Sequence, residues 1–144
     1  MGRQQSREPP ADVTPEEWKR QVVVIEKGYE FFLAYAAQGV EGDSSLSGEL
    51  RRYLNQVHEA LGALEEGLGE IAEGLDSASA FASMSEVMRR DARDTKAAVG
   101  LVMAQTSVSS QLIDNLNASH HFRALLTDLF LIDEALTETL ASEN

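Results

Sequence analysis

Apolar side chains recur along residues 46–75 in steps of four and three, as in a heptad repeat. This spacing keeps a narrow apolar stripe on one face of a helix, which is typical of a coiled coil or an antiparallel helical bundle. The sequence therefore predicts a long seam helix over 46–75 that packs against another helix. The predicted interface residues are Leu50, Leu54, Val57, Leu61, Leu64, Leu68, Ile71 and Leu75.

Glycines are the weak point of this predicted seam helix. Gly62, Gly67, Gly69 and Gly74 all lie within it, and each costs about 0.5–1 kcal/mol relative to alanine in a helix. One interpretation is that small residues at heptad spacing let a second helix approach closely. The other is that these glycines lie on a solvated face and loosen the end of the helix.

The first helix has a strong local start signal. Thr14 is a typical N-cap, Pro15 suits the first helical position, and Glu17 completes a capping box. Gly39 is a plausible residue just beyond the end of this helix. Residues 1–13 are polar, contain proline and lack periodicity, so the sequence predicts a flexible N-terminal tail before a helical domain over 14–144.

Two more helices follow, over about 81–116 and 119–141. Asn117 or Ser119 is expected to cap the last one, and the polar run at 106–110 leaves the continuity of the third helix open. Four amphipathic helices with short connections predict an all-α fold, an antiparallel four-helix bundle with long coiled-coil-like helices.

Composition narrows the class of protein. The chain has 144 residues, 43% of them hydrophobic, which is enough for one domain with a genuine core. Cysteine is absent, so disulfides, thiolate metal sites and cysteine nucleophiles are excluded. The net charge of −12 opposes binding to nucleic acid. Neither a signal peptide nor a membrane span is evident, so we expect a cytoplasmic protein.

The N-terminus carries one motif with a defined chemistry. Residues 1–6, MGRQQS, fit the pattern for N-myristoylation, in which Met1 is removed and Gly2 is acylated. A single myristoyl chain binds membranes only marginally, and Arg3 and Arg7 provide a weak second signal. Gly2 is therefore the predicted lipidation site. If it is acylated, the N-terminus would give the protein a peripheral membrane contact.

The three histidines give little support for an enzyme. His120 and His121 are adjacent, so their side chains should diverge by about 100° and not share a metal. His58 is followed by Gly62 at the spacing seen in histidine phosphotransfer domains, but Leu61 stands where those domains carry lysine. No nucleophile elbow or phosphate-binding loop occurs. We therefore predict no enzymatic activity, no catalytic residue, no metal site and no cofactor.

Polar residues in the third predicted helix suggest an alternative. Asp91, Thr95, Thr106 and Ser109 occupy positions where a tight core favours leucine. They either fix the register of a helix interface or line a small ligand cavity.

Together these features predict a helical adaptor, or a subunit of a multi-protein assembly, that binds a protein partner or a second copy through its helices. The alternatives are a small-ligand-binding bundle and a histidine phosphotransfer-like module at His58.

Overall fold

The computed structural model describes residues 14–39, 45–69 and 71–142. Within these ranges the chain forms five α-helices and no strand, which confirms the predicted all-α class. The predicted tail lies outside the described residues. The helices are α1 (Pro15–Ala37), α2 (Ser47–Leu64), α3 (Ala78–Met103), α4 (Ser110–Ala118) and α5 (His120–Ser142).

The predicted start of α1 is confirmed. The Thr14 hydroxyl accepts a hydrogen bond from the Glu17 backbone N–H at 3.1 Å, and Pro15 is the first helical residue. Beyond the end of α1, Gly39 has a φ of +70°, a left-handed conformation that glycine adopts at little cost. Local capping signals thus fix both ends of this helix.

Helix α2 is shorter than predicted and ends at Leu64. Gly67 and Gly74 both have a φ of +87°, which a right-handed helix does not allow. The prediction of one helix over 46–75 is therefore wrong beyond Leu64, because the glycines end the helix and turn the chain. Leu68 still reaches the core, and its N–H donates to the Ser85 hydroxyl at 3.2 Å.

The third predicted helix is divided in two. Helix α3 ends at Met103, whose carbonyl oxygen accepts a hydrogen bond from the Arg51 guanidinium at 2.8 Å. Helix α4 begins after Ser109, whose hydroxyl accepts from the Leu112 N–H at 3.1 Å. The helix expected over 81–116, whose continuity through 106–110 the sequence left open, is therefore interrupted, because the serine caps a new helix.

The last predicted helix corresponds to α5. Ser119 lies between α4 and α5 with a ψ of 127°, outside the helical range. Its hydroxyl accepts a hydrogen bond from the His121 N–H at 3.2 Å. Of the two predicted capping residues, Ser119 is the one at the start of α5.

The helices pack mainly in chain order. Helix α1 packs on α2, α2 on α3 and α3 on α5, while α4 packs chiefly on α1. Helices α2 and α3 are antiparallel: Arg51, near the start of α2, bonds to the end of α3, and Arg89 of α3 bonds to Glu65, just after α2. The predicted antiparallel four-helix bundle is not confirmed as such, because the described chain has five helices.

Helices α1 and α5 are connected mainly by side-chain contacts, because their backbones approach each other closely at few positions. The rings of Tyr29 and Phe122 lie 5.2 Å apart in an edge-to-face arrangement. Towards the start of α1, Lys19 forms an ion pair with Asp133 at 3.7 Å. The residue numbers run in opposite directions along this contact, so α1 and α5 are also antiparallel.

Large aromatic side chains fill the core. Trp18, Phe32, Tyr35 and Phe122 are among the most deeply buried residues of the described chain. The Tyr35 hydroxyl donates to the Val108 carbonyl at 2.8 Å, which satisfies the one polar atom of its ring within the core. This bond ties α1 to the segment that precedes α4.

Candidate functional site

The predicted interface residues lie inside the chain's own core. The first six, from Leu50 to Leu68, are buried in the single chain, and Ile71 and Leu75 are partly buried against the same core. A partner could therefore reach this seam only if the helices separated. That the seam binds another chain stays a prediction. The predicted lipidation site, Gly2, lies outside the described residues.

Exposed apolar side chains mark a different surface. Among the described residues, three of the six exposed large hydrophobic side chains belong to α5, and two of these are adjacent. Phe130 is 52% exposed and Leu131 is 57% exposed. Glu134 lies one turn further along the helix from both, and Glu138 one turn beyond it. We call the surface formed by Phe130, Leu131, Glu134 and Glu138 the α5 outer face.

An apolar groove adjoins this face between the first turns of α3 and the last turns of α5. Its volume is about 250 Å³, enough to receive one or two large apolar side chains. Leu131 belongs both to the groove and to the α5 outer face, so the two surfaces are continuous. The α3–α5 groove is lined chiefly by Ala80, Phe81, Met84, Leu131, Ile132 and Ala135.

The charged side chains of α5 next to the groove are all acidic. After Arg123, the sequence of α5 contains no lysine, arginine or histidine. A hydrogen bond with the Glu138 carboxyl, and repulsion from it, raise the pKa of Glu134 above its usual value. In the described part of the chain neither carboxylate forms an ion pair with a basic side chain, unlike Asp133, which pairs with Lys19.

The polar residues of the third predicted helix do not gather in one cavity. Thr106 is exposed and Ser109 caps α4. Thr95 is buried, and its hydroxyl donates to the Asp91 backbone carbonyl at 2.7 Å. Of the four, Asp91 is the one that interacts with a polar side chain of another helix, the buried Asp128.

Asp91 on α3 and Asp128 on α5 form a carboxyl pair that sequence reasoning missed. Burial, followed by hydrogen bonding with Asp91 and repulsion from it, raises the pKa of Asp128 from 3.8 to about 7. The raised pKa keeps a proton on this pair at mildly acidic pH. No local pattern joins residues 37 positions apart (128 minus 91) on different helices, so only the packing of α3 on α5 reveals the pair.

The histidines differ from the prediction in part. The rings of His120 and His121 lie 4.1 Å apart, so the predicted divergence of about 100° is wrong. They are the first two residues of α5. Within the described residues, no three His, Asp or Glu side chains are grouped to hold a metal ion. His58 is partly buried, and its Nε2 lies against Gly100 on α3.

A second, larger cavity lies where the chain turns from α2 to α3. Its volume is about 580 Å³, and Gly67, Ser85 and Arg89 contribute to its wall. The Arg89 guanidinium is already engaged, because it donates to the Glu65 carbonyl at 2.7 Å and pairs with Glu86. The wall of this cavity is therefore polar on one side, but the Arg89 charge there is already paired.

No family model, curated protein or solved structure matches this chain. The described helices include none that is both long and apolar enough to cross a membrane. The surfaces of α5 and the two cavities are thus the features from which function is inferred.

Proposed function

We propose that this protein is a non-enzymatic helical adaptor, or a subunit of a multi-protein assembly, that binds a protein partner through the α5 outer face and the α3–α5 groove. The observation that carries the proposal is the pair of adjacent, half-exposed side chains Phe130 and Leu131, of which Leu131 also lines an apolar groove. Single exposed hydrophobic residues are ordinary on protein surfaces. A continuous apolar surface that leads into a groove is characteristic of an interaction site.

The α5 outer face and the groove can supply part of the free energy of binding a partner. Fully burying a leucine or phenylalanine side chain contributes about 1.5–3 kcal/mol. Because Phe130 and Leu131 are each about half exposed, covering both would contribute about 2 kcal/mol. A partner side chain inserted into the groove adds a similar amount, and each 1.4 kcal/mol is about tenfold in affinity.

Coiled-coil association through the Leu50–Leu75 seam is a second form of the same proposal, and it would cost more free energy. Since Leu54, Val57 and Leu61 are fully buried in the single chain, exchange of helices between copies would first have to expose them. Membrane attachment through acylated Gly2 is compatible with either form. Replacing Gly2 with alanine should then lower the fraction of protein bound to membranes.

The larger cavity next to Arg89 favours one alternative, a bundle that binds a small ligand. Its volume of about 580 Å³ lies within the range of ligand pockets. A ligand that occupies it should raise the melting temperature in a concentration-dependent way. Arg89→Met, which changes the polar wall of the cavity, should reduce that rise, whereas an adaptor without a ligand would show none.

The proposal is tested by the solution mass and by site-specific crosslinking. Light scattering across a concentration series shows whether the chain associates with itself. A photo-reactive phenylalanine analogue is then placed at Leu131 and, as a matched control, at Leu101, which is 66% exposed near the end of α3. We expect a partner, identified by mass spectrometry, to crosslink at Leu131 and not at Leu101. Equal crosslinking at both positions, or none at Leu131, would refute the proposal.

A further inference from the structure

The α3–α5 groove is apolar inside and acidic at its rim. Phe81 and Ile132 are buried at its base, and Leu131 stands half exposed at its mouth. On the outer side, Glu134 and Glu138 follow each other by one helical turn. A partner that fits must therefore offer apolar side chains to the groove and positive charge to the rim.

We propose that the α3–α5 groove and the α5 outer face bind the apolar side of a basic amphipathic helix from a partner protein. This inference rests on the proposed adaptor function and defines the chemistry of the partner. Leucine-like side chains of the bound helix occupy the groove, and its lysine or arginine side chains pair with Glu134 and Glu138. Binding by a helix laid in an apolar groove is a recurrent mode of peptide recognition.

The charge distribution selects a basic occupant. Glu134 and Glu138 repel each other, and the carbonyl groups at the end of α5 add the negative end of the helix dipole. A cation placed between the two carboxylates removes the repulsion and interacts favourably with that dipole. Because α5 lacks basic residues after Arg123, no side chain of α5 itself beyond that point can fill this role.

The same charges disfavour a second copy of this chain as the occupant. Two α5 outer faces brought together would place four glutamates against one another without a cation from either face. Such like-charge contacts cost free energy unless other contacts compensate. The net charge of −12 adds a long-range repulsion between copies.

The test uses the full chain and a fluorescent synthetic helix of about 18 residues, or five turns, with leucines on one side and lysines on the other. A version with glutamate in place of lysine tests charge, and a scrambled version of the same composition tests amphipathicity. Fluorescence anisotropy gives the Kd at low and at high salt. We expect only the amphipathic lysine helix to bind, and more weakly at high salt.

Matched variants locate the binding site. Leu131→Gln should weaken binding about tenfold, while Leu101→Gln, at an exposed leucine on α3, should leave the Kd unchanged. The double change Glu134→Gln with Glu138→Gln should weaken binding several-fold and reduce its salt dependence. Glu59→Gln, at an exposed acid on α2, is its control.

Each other outcome overturns the proposal in a distinguishable way. Equal losses at Leu131 and Leu101, or equal binding of the scrambled helix, would mean that the peptide adheres nonspecifically to an acidic surface. A loss at Leu131 without a loss at the glutamates would exclude the basic partner. Concentration-dependent dimerisation that Leu131→Gln abolishes would identify a second copy as the occupant.

The crosslinking experiment separates this inference from the adaptor function. A protein partner that crosslinks at Leu131, combined with no binding of the lysine helix, would retain the adaptor and reject the basic helix. Binding of the lysine helix in the groove without any crosslinked protein would reject the adaptor and retain the groove chemistry. If both fail, neither proposal stands.

Discussion

Replacing Asp128 with asparagine should make the stability of the protein less dependent on pH. Asp128 is buried between α3 and α5, and one of its carboxyl oxygens has no hydrogen-bond partner among the described residues. Burial and the neighbouring Asp91 carboxyl raise its pKa to about 7. Asparagine keeps the shape of the side chain and cannot ionise, so the variant isolates the contribution of the charge.

The magnitude follows from the shift in pKa. Asp128 changes from a pKa of 3.8 to about 7 on folding, a difference of about three units, or about 4 kcal/mol at 1.36 kcal/mol per unit. Because the folded state holds the proton more tightly, this stabilisation is complete below about pH 4 and is lost as the pH rises through about 7. Water that enters beside the ionised carboxylate reduces the loss, so we expect about 2–4 kcal/mol.

Urea denaturation followed by tryptophan fluorescence measures this effect. Trp18 is the sole tryptophan of the chain and is 2% exposed, so its emission reports unfolding of the core. The free energy of unfolding of Asp128→Asn, relative to the wild type, should increase from about pH 4 to about pH 7 and level off at higher pH. Asp114→Asn, at an exposed acid on α4, should show no such trend. A difference for Asp128→Asn that stays constant over this range would refute the reasoning.

Three further predictions concern stability. Gly28→Ala should lower the free energy of unfolding by about 1–3 kcal/mol, because the added methyl group would overlap Val57. Gly62→Ala, where there is space for the methyl group, should raise it by about 0.5–1 kcal/mol. Equal effects of the two substitutions in urea denaturation would contradict the close packing of Gly28 against Val57. Tyr35→Phe should cost about 1–3 kcal/mol in the same assay, since a buried carbonyl loses its donor, and no cost would mean that water replaces it. Arg51→Met should speed amide hydrogen exchange at the end of α3, where the guanidinium binds three carbonyl oxygens, and unchanged exchange would exclude this capping role.

Local signals predicted the parts of the fold that depend on local chemistry. Thr14, Pro15 and Gly39 define the ends of α1 through their own backbone and side-chain preferences, and the structure confirms both ends. Ser119 likewise stands at the start of α5. In each case the decisive residue acts within a few positions of itself, so its effect can be derived from the sequence.

The prediction of a helix beyond Leu64 was wrong because a buried side chain does not require a helical backbone. Leu68 keeps the heptad spacing and is buried, yet it follows the left-handed Gly67 in the segment that connects α2 to α3. The spacing of apolar residues indicated which side chains are buried, and the glycines indicated where the backbone leaves the helix. Where the two signals disagreed, the positive φ of Gly67 and Gly74 decided the structure.

The candidate surface could be predicted only in part. The apolar spacing of the last helix predicts an inward-facing set of Phe122, Leu125, Leu129, Ile132, Leu136 and Leu140. The first five are buried, but Leu140, near the end of α5, is 40% exposed. Phe130 and Leu131 lie outside that pattern, which indicates exposure. The groove beside them, however, exists only because the first turns of α3 pack against α5, a relation between distant segments that periodicity does not encode.

The bond from Tyr35 to Val108 bears on how the chain reaches this structure. Contacts of α1 with α2 and of α2 with α3 join neighbours in the sequence, and such local contacts form rapidly. The Tyr35 hydroxyl, by contrast, closes a loop of 73 residues, and loop closure costs more entropy as the loop lengthens. Docking of α4 onto α1 should therefore be the late step of folding, after a hairpin of the first helices has formed a surface to receive it.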